Sequence, residues 1–189
     1  MTQSLPLRRR MLLAGLSLVP LAAVAACATS EDERDNLVAR AEAAREDLFR
    51  QVPAAQAVAR DSAGYLIFPS VTQGAFIFGA QFGNGVLFEN SRAVGFYNVT
   101  GGSWGLQAGA QNFSQAYFFT TQEALARFHT TRGLELGAGV DFAVADIGAS
   151  GQISTSTLQK PVIVFVYGQQ GLFGGVNVAG QKITERSSR

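Results

Sequence analysis

The chain has very few of the residues from which most catalytic and metal sites are built. Its 189 residues include one histidine and one cysteine. A single cysteine excludes an internal disulfide, and a single histidine leaves mainly carboxylates as further metal ligands. The sequence therefore predicts no disulfide framework, no metal and no cofactor.

Charged residues are also scarce. They make up 15% of the chain, and the formal net charge is +1. Proteins that bind nucleic acid usually carry a concentrated basic face, so no nucleic-acid partner is expected. Five prolines are too few for a disordered linker, and the 21 glycines are too irregularly spaced for collagen.

Glycine and phenylalanine are the residues present in excess, at 21 and 14 copies. Large aromatic side chains beside glycines indicate curved sheets, in which a big side chain fills the space next to a missing one. Apolar residues alternate with glycine and polar residues at positions 76–82, 104–110 and 134–144, the two-residue period of a strand. We expect residues 134–144 to form one long strand, and Asn84-Gly85 to form a hairpin turn.

Residues 161–167 are nearly continuous valine, isoleucine and phenylalanine, which predicts a strand buried on both faces.

Three segments carry helical signals. In residues 31–51 the apolar residues that recur at helical spacing are Leu37, Ala41, Ala44 and Leu48. Pro53 suits the start of a second helix. Thr120 begins a capping box for a short third helix, and Gly133 stands where that helix should stop. The predicted fold class is α+β, with two N-terminal helices packed on a strongly curled, glycine-rich antiparallel sheet and one inserted helix.

Residues 1–26 have the pattern of an export signal. Three arginines at positions 8–10 precede an apolar run over residues 11–26, which is short for a transmembrane helix of about 20 residues. The run ends in Val24-Ala25-Ala26-Cys27, which resembles the lipobox of bacterial lipoproteins and implies cleavage before Cys27 and acylation of that cysteine. The alternative is a plain secretory signal. Both twin-arginine and ordinary export remain open.

Acylation at Cys27 would make residues 27–34 a lipidated tether and place the protein in the bacterial cell envelope, facing the periplasm. Ala28 slightly favours the outer membrane. Without residues 1–26 the chain keeps 12 basic and 14 acidic side chains, a net charge of −2.

The first helix has two interpretations. Its apolar stripe packs on the sheet while its charges are solvated, or it lies on the membrane with its arginines against anionic headgroups. The second interpretation makes Arg40, Arg45 and Arg50 lipid-binding residues. Lys160 and Lys182 flank the last predicted hairpin, and a modest basic patch formed with Arg92, Arg127 and Arg132 would be a further headgroup site. The alternative is that these are ordinary solvated charges.

Catalytic patterns are weak. Residues 101–105 match the G-x-S-x-G nucleophile elbow, but that motif requires a strand-to-helix turn, and strands are predicted on both sides here. Glu135 and Asp141 share a predicted strand face about 20 Å apart, too far for paired carboxylates. The lone His129 is explained by its place late in a helix. We expect the protein not to be an enzyme.

Several short motifs, each weak alone, are more specific when their order and spacing are taken together. They are Phe68-Pro69-Ser70-Val71, the 74–87 hairpin, Ser103-Trp104-Gly105-Leu106-Gln107-Ala108-Gly109, the Phe128 helix followed by Leu134-Glu135-Leu136-Gly137-Ala138, Pro161-Val162-Ile163-Val164-Phe165 and Gly171-Leu172-Phe173. In this order they resemble the SYLF (Ysc84-type) lipid-binding domain, which we place at residues 35–186. The resemblance implies phospholipid binding. Eukaryotic members favour phosphoinositides, some acting with actin, and bacterial members are commonly exported lipoproteins.

The sequence therefore predicts a non-enzymatic envelope lipoprotein that binds anionic phospholipid at the membrane surface. The alternative is a structural or protein-interaction module of the envelope, with an unknown protein partner and with lipid contact only through acylated Cys27. An envelope hydrolase is the third hypothesis.

Overall fold

The protein is described here from a computed structural model, which describes residues 21–75, 78–104, 109–137, 140–145, 154–171 and 178–186. The helices are α1 (Leu21–Gln51), α2 (Pro53–Asp61), α3 (Gln122–Thr131) and α4 (Thr155–Leu158). The strands are β1 (Gly64–Ala75), β2 (Phe78–Glu89), β3 (Arg92–Trp104), β4 (Gly109–Phe119), β5 (Gly133–Glu135), β6 (Phe142–Ala145), β7 (Val162–Gly171) and β8 (Lys182–Glu185).

The chain divides into two compact units, residues 1–33 and 34–189. Of the first unit, the structure describes residues 21–33, which form the first part of α1. The second unit contains every strand given above and the rest of α1. Within the described residues, no helix combines the length and the apolar character needed to cross a membrane.

The eight strands form one sheet in the order β5-β8-β3-β2-β1-β4-β7-β6. Strands β1, β2 and β3 are consecutive antiparallel neighbours, and β4 returns to lie beside β1. This is Greek-key order. It places β1 and β2 in the middle of a strongly curled sheet.

Two hydrophobic clusters bury the two faces of the sheet. One packs the apolar stripe of α1 and α2, including Leu37, Ala41 and Leu48, against strand residues such as Phe88 and Phe118. The other packs α3, through Leu125 and Phe128, on the opposite face. The first cluster will be called the α1–α2 face and the second the α3 face. The predicted α+β class, with helices on a curled sheet, is confirmed.

Residues 162–165 of β7 are all buried. Ile163 and Phe165 belong to the cluster on the α1–α2 face, while Val162 and Val164 belong to that on the α3 face. A strand covered on both faces has no polar side to present. The prediction of a doubly buried strand in residues 161–167 is therefore confirmed.

The prediction of one long strand over residues 134–144 is wrong. The segment supplies β5, paired with β8 at one end of the sheet, and β6, paired with β7 at the other end. The chain leaves the first pairing in a turn after Leu136, where Gly137 has a φ of +104°. β6 also runs parallel to β7, the one parallel pair among the described strands. The alternating apolar residues indicated that parts of 134–144 are extended. They did not indicate which strand each part of the segment pairs with.

The predicted turn at Asn84-Gly85 is also wrong, because β2 continues through both residues. The turn between β2 and β3 lies at Asn90 and Ser91, whose φ values of +48° and +62° are those of a type I′ hairpin. A Cβ atom on Gly85 would stand 2.6 Å from Cδ1 of Phe68. This glycine is therefore needed for the close approach of an aromatic ring rather than for a turn.

The third helix is confirmed, with its cap one residue later than predicted. Thr121, not Thr120, accepts a hydrogen bond from the Ala124 backbone N–H at 3.2 Å. Thr120 donates its hydroxyl to the Lys160 carbonyl at 2.8 Å. Two adjacent threonines offer the same capping chemistry, and only the tertiary partner of Thr120 distinguishes them.

A row of buried glutamines crosses the α3 face. Gln73 stands opposite Gln81 on one side and Gln111 on the other, and its Oε1 atom accepts from both Nε2 atoms at 3.3 and 3.2 Å. Gln181 extends the row by donating to Gln81, and its own Oε1 accepts from the Tyr117 hydroxyl at 2.5 Å. Burial raises the pKa of Tyr117 above the ordinary range of a phenol. The network lets a polar row lie within the sheet core, because its members satisfy one another.

Replacing Gly85 by alanine is expected to destabilise the fold by about 1–3 kcal/mol, because the new methyl group would overlap the Phe68 ring and the Ile67 carbonyl oxygen. Urea unfolding followed by circular dichroism measures this difference. Gly74→Ala is the matched control on the neighbouring strand, since a Cβ there meets nothing within 4 Å. Equal stability of the two variants would contradict the packing role of Gly85.

Candidate functional site

The predicted lipidation site, Cys27, lies near the start of the described residues. Cys27 falls within α1, but its side chain is outside the described part of the structure, as are residues 1–20. Lipidation of Cys27 and the assignment of residues 1–26 as a signal therefore remain predictions.

The three arginines predicted on α1 do not form one surface. Arg40 is exposed, and the exposed Arg50 pairs with Asp47 at 2.8 Å. Arg45 instead turns to the sheet, where its Nη1 atom donates to the Tyr65 hydroxyl at 2.8 Å. The apolar stripe of α1 is buried against the sheet, as the packing interpretation predicted.

The two predicted lysines, Lys160 and Lys182, differ in whether they form an ion pair among the described residues. Lys160 forms an ion pair with Asp141, with Nζ 2.8 Å from Oδ1 and 3.1 Å from Oδ2. Lys182 is exposed on β8, directly opposite Glu135 of β5. Among the described residues, no carboxylate lies within ion-pair distance of Lys182.

Lys182 belongs to a cavity of about 270 Å³ between the end of α3 and strands β5 and β8. Arg127 from α3 and Arg132 from the end of that helix line the same cavity. All three side chains are exposed, and Glu135 is the one acid among the described residues that line it. The site thus gathers three cations from three parts of the chain against a single carboxylate.

Arg132 holds an unusual backbone conformation at this site. It closes α3 with a φ of +51°, in the left-handed region, and its N–H donates to the carbonyls of Phe128 and His129. Residues other than glycine pay about 1–2 kcal/mol for this conformation, and most helices that end this way use glycine. The adjacent Gly133 cannot be replaced, because a Cβ there would stand 2.0 Å from the Ile183 carbonyl oxygen. An arginine is therefore retained at a position where backbone energetics favour glycine.

A second cavity of about 180 Å³ adjoins the first along α3. The two share the lining residues Arg127, Leu134 and Val140. Most of its lining side chains are apolar: Ala124, Phe128, Leu134, Val140, Pro161 and Val162. The others are Thr121, Glu123, Arg127 and Asp141, and Asp141 is paired with Lys160. We call the two together the α3 groove. Cations outnumber acids at one end, and apolar side chains form most of the lining at the other.

The chemistry of the α3 groove suits an anionic amphiphile. Guanidinium and ammonium groups are the usual protein partners of phosphate oxygens, through charge-assisted hydrogen bonds. Among the described residues, Arg127, Arg132 and Lys182 form no ion pair, so their charges are available to a ligand. The adjoining apolar cavity offers a surface from which hydrocarbon would exclude water.

The structure also locates the residues tested for catalysis. Residues 101–104 of the G-x-S-x-G match lie inside β3, so the strand predicted before the serine is confirmed. His129 pairs with Glu89 at 2.7 Å and so ties α3 to the end of β2. In the described part of the chain, no group of three or more histidine, cysteine, aspartate or glutamate side chains is placed to hold a metal ion.

Part of the chain matches a known protein family. Residues 100–189 match the family model Ysc84, described as Las17-binding protein actin regulator. No curated protein matches the chain. The match supports the predicted Ysc84-type resemblance over those residues, which include α3, β5 and β8 and therefore nearly the whole α3 groove. The earlier motifs, at residues 68–71 and 74–87, precede the matched region.

Sequence reasoning named Arg127 and Arg132 only as additions to a basic patch. The signal that would have singled out Arg132 is its position, directly before Gly133 at the predicted end of a helix, where glycine or asparagine is usual. Lys182 was grouped with Arg127 and Arg132 as a possible basic patch, and the structure places these three residues in one cavity. The sequence alone could not establish that proximity, because about 50 residues of chain separate Lys182 from Arg132.

Arg132→Gly is expected to stabilise the fold by about 1 kcal/mol, because glycine adopts the left-handed conformation without steric cost. For a domain of this size the midpoint of thermal unfolding should rise by about 2–4 °C. Calorimetry of the wild type and the variant measures the shift. Arg132→Ala is the control: it removes the same charge but keeps the strained backbone, and should not gain stability. A destabilised Arg132→Gly variant would show that the arginine side chain itself holds the helix end.

Proposed function

We propose that this domain binds anionic phospholipid at a membrane surface through the α3 groove. The observation that carries the proposal is the junction of three exposed, unpaired cations with an adjoining apolar cavity, as far as the structure describes the groove's surroundings. A phospholipid presents the same two chemistries, a phosphate next to hydrocarbon. The match to a Ysc84 model, a family that the motifs also resemble, supports the assignment.

The mechanism has two parts. The cations attract the headgroup, each contributing about 1 kcal/mol near an anionic membrane surface. The apolar cavity then receives part of the glycerol or acyl region. In this proposal the acyl chains on Cys27 keep the domain at the membrane, so that even a weak groove is filled at the high local lipid concentration. The protein is not an enzyme in this proposal, and it acts in the bacterial cell envelope.

The α3 groove replaces α1 as the proposed contact with lipid. The apolar stripe of α1 is buried in the core, and Arg45 is directed at the sheet rather than at solvent. The exposed positions of α1 mix Arg40 with the acids Glu42 and Glu46. Such a face offers an anionic membrane little net attraction.

A protein-interaction module is the second candidate, favoured by the family description, which names a protein partner, Las17, and actin regulation. In that case an envelope protein would occupy the surface, and lipid contact would come only from acylated Cys27.

Removing two cations of the groove, in Arg127→Gln with Lys182→Gln, is expected to weaken vesicle binding roughly 30-fold, since two basic residues contribute about 2 kcal/mol near an anionic surface. Co-sedimentation with vesicles of phosphatidylcholine and increasing phosphatidylglycerol measures the binding. Residues 28–189 are used, because this chain lacks Cys27 and keeps every described buried hydrophobic side chain, all of which lie at or after Leu37.

The matched control is Arg40→Gln with Arg50→Gln, which removes the same charge from α1. Loss of binding in this control alone would move the site to α1. Equal losses in both double variants would indicate only a diffuse electrostatic attraction. Absence of pelleting in the unmodified chain at low salt, where such attraction is strongest, would leave the protein-interaction module as the better proposal.

Filling the apolar part of the groove tests whether that cavity receives part of the lipid. Ala124→Leu adds bulk beside Phe128 and Val140 without changing charge, and leucine is a good helix former. We expect weaker binding to phosphatidylglycerol vesicles with an unchanged dependence on salt, measured in the same assay. Unaltered binding would show that the lipid contributes only its headgroup.

A further inference from the structure

A cavity of about 350 Å³ lies on the other face of the sheet from the α3 groove. It is bounded by the end of α1, by α2, by the start of β1 and by the Asn90-Ser91 turn. We call it the α1–α2 cavity. Its volume is at the lower end of the range of small-molecule sites.

Two arginines line this cavity, Arg45 from α1 and Arg60 from the last turn of α2. No aspartate or glutamate is among the described residues that line it. The acids nearest in sequence lie outside the lining. Glu46 and Asp61 are exposed, Asp47 pairs with Arg50, and Glu89 pairs with His129. The cavity therefore carries two positive charges without a counter-ion of its own.

Arg45 is the more informative of the two because it is partly buried. Its Nη1 atom donates to the Tyr65 hydroxyl, and its guanidinium carbon lies 5.9 Å from the ring centroids of both Tyr65 and Phe88. Its Nε atom is buried and lacks a hydrogen-bond partner among the described residues. A partly buried guanidinium with an unused donor and no carboxylate is costly unless an anion completes it.

The remaining lining defines the kind of anion. Gln56, Ser62 and Asn90 add neutral polar groups around the arginines, and Phe49 and Tyr65 add an aromatic wall. Two guanidinium groups with neutral donors are suited to a dianionic oxyanion that has several oxygen atoms to accept hydrogen bonds. A diacyl lipid would not fit within about 350 Å³, but its phosphate headgroup would.

We propose that the α1–α2 cavity binds a phosphate monoester group through Arg45 and Arg60. The group belongs either to a free phosphorylated small molecule or to a lipid headgroup such as that of phosphatidic acid. This site is independent of the α3 groove, which lies on the opposite face and shares no lining residue with it.

The test uses the full chain carrying Cys27→Ser, titrated with inorganic phosphate and with glycerol 3-phosphate by isothermal calorimetry at constant ionic strength. Arg60→Gln changes an exposed side chain at a helix end, so its fold should be unaffected. We expect its Kd for the phosphate monoester to rise at least tenfold. Arg40→Gln, exposed on α1 and outside the cavity, should leave the Kd unchanged.

Arg45→Met separates binding from folding. Methionine is unbranched and matches the aliphatic stem of arginine, removes the uncompensated charge and can pack on the same two rings. The variant should unfold at the same temperature as wild type or higher, and yet lose phosphate binding. A cavity without a ligand role would give the same stability gain but no change in any binding measurement.

A second arm identifies the source of the phosphate. Vesicles of phosphatidylcholine doped with phosphatidic acid, a monoester, are compared with vesicles containing phosphatidylglycerol, a diester. Calorimetric binding that depends on Arg60 supports the site with a free ligand. An Arg60 effect seen only with phosphatidic acid supports it with a lipid headgroup. If neither the soluble probes nor the vesicles distinguish Arg60→Gln from Arg40→Gln, the proposal is overturned, whatever the Arg127 and Lys182 variants show.

Discussion

The packing of large aromatic side chains against glycines in the neighbouring strand is the interaction on which the rest of this structure depends. Phe68 occupies the space in front of Gly85, and both lie on long central strands of the sheet. This contact lets β1 and β2 stay paired while the sheet curls, because no Cβ stands between the ring and the backbone. The curl in turn gives the sheet two covered faces, one beneath α1 and α2 and the other beneath α3. Each face supplies one of the two cationic cavities.

Burial of the sheet on both faces also explains why charged residues are few and why their positions point to binding sites. A sheet covered on both sides places most of its strand residues in apolar surroundings, and its polar residues must satisfy one another, as the row from Gln111 to Gln181 does. The cations are then left to the margins, where helices end. Arg45 and Arg60 lie near the ends of α1 and α2, and Arg127 and Arg132 lie near the end of α3. Cations in the last turn of a helix or at its C-terminal cap are stabilised by the negative end of the helix dipole, which favours Arg60 and Arg132 before any anion binds.

The α3 groove and the α1–α2 cavity suit ligands of different chemistry. The α3 groove keeps its charges in solvent and continues into an apolar space, which suits a molecule that stays partly in a membrane. The α1–α2 cavity holds one guanidinium partly buried beside aromatic rings and adds neutral polar groups around it. Such a cavity suits a compact phosphate. A protein held beside a membrane would then have one site for the lipid surface and one for a smaller anionic group.

The sequence by itself determined the α+β class, the helical stripe of α1, the short α3 and the buried β7, because each rests on a local period or cap that any burial of apolar surface must respect. It did not determine where strands pair. Residues 134–144 alternate as one strand would, yet β5 and β6 lie at opposite ends of the sheet. It assigned Gly85 to a turn, since glycine is read locally as a turn residue, and only the Phe68 ring across the strand pair shows its role.

The sites follow the same division. Each of these cations except Arg60 was named from the sequence, and Lys182 was grouped with Arg127 and Arg132 as a hypothesis. Only the tertiary structure shows that Arg45 faces the sheet, that Lys160 is neutralised by Asp141, and that Lys182 shares a cavity with Arg127 and Arg132. Charge is a property of a residue, whereas a binding site is a property of distances between residues far apart in the chain, and those distances are set by which strands pair.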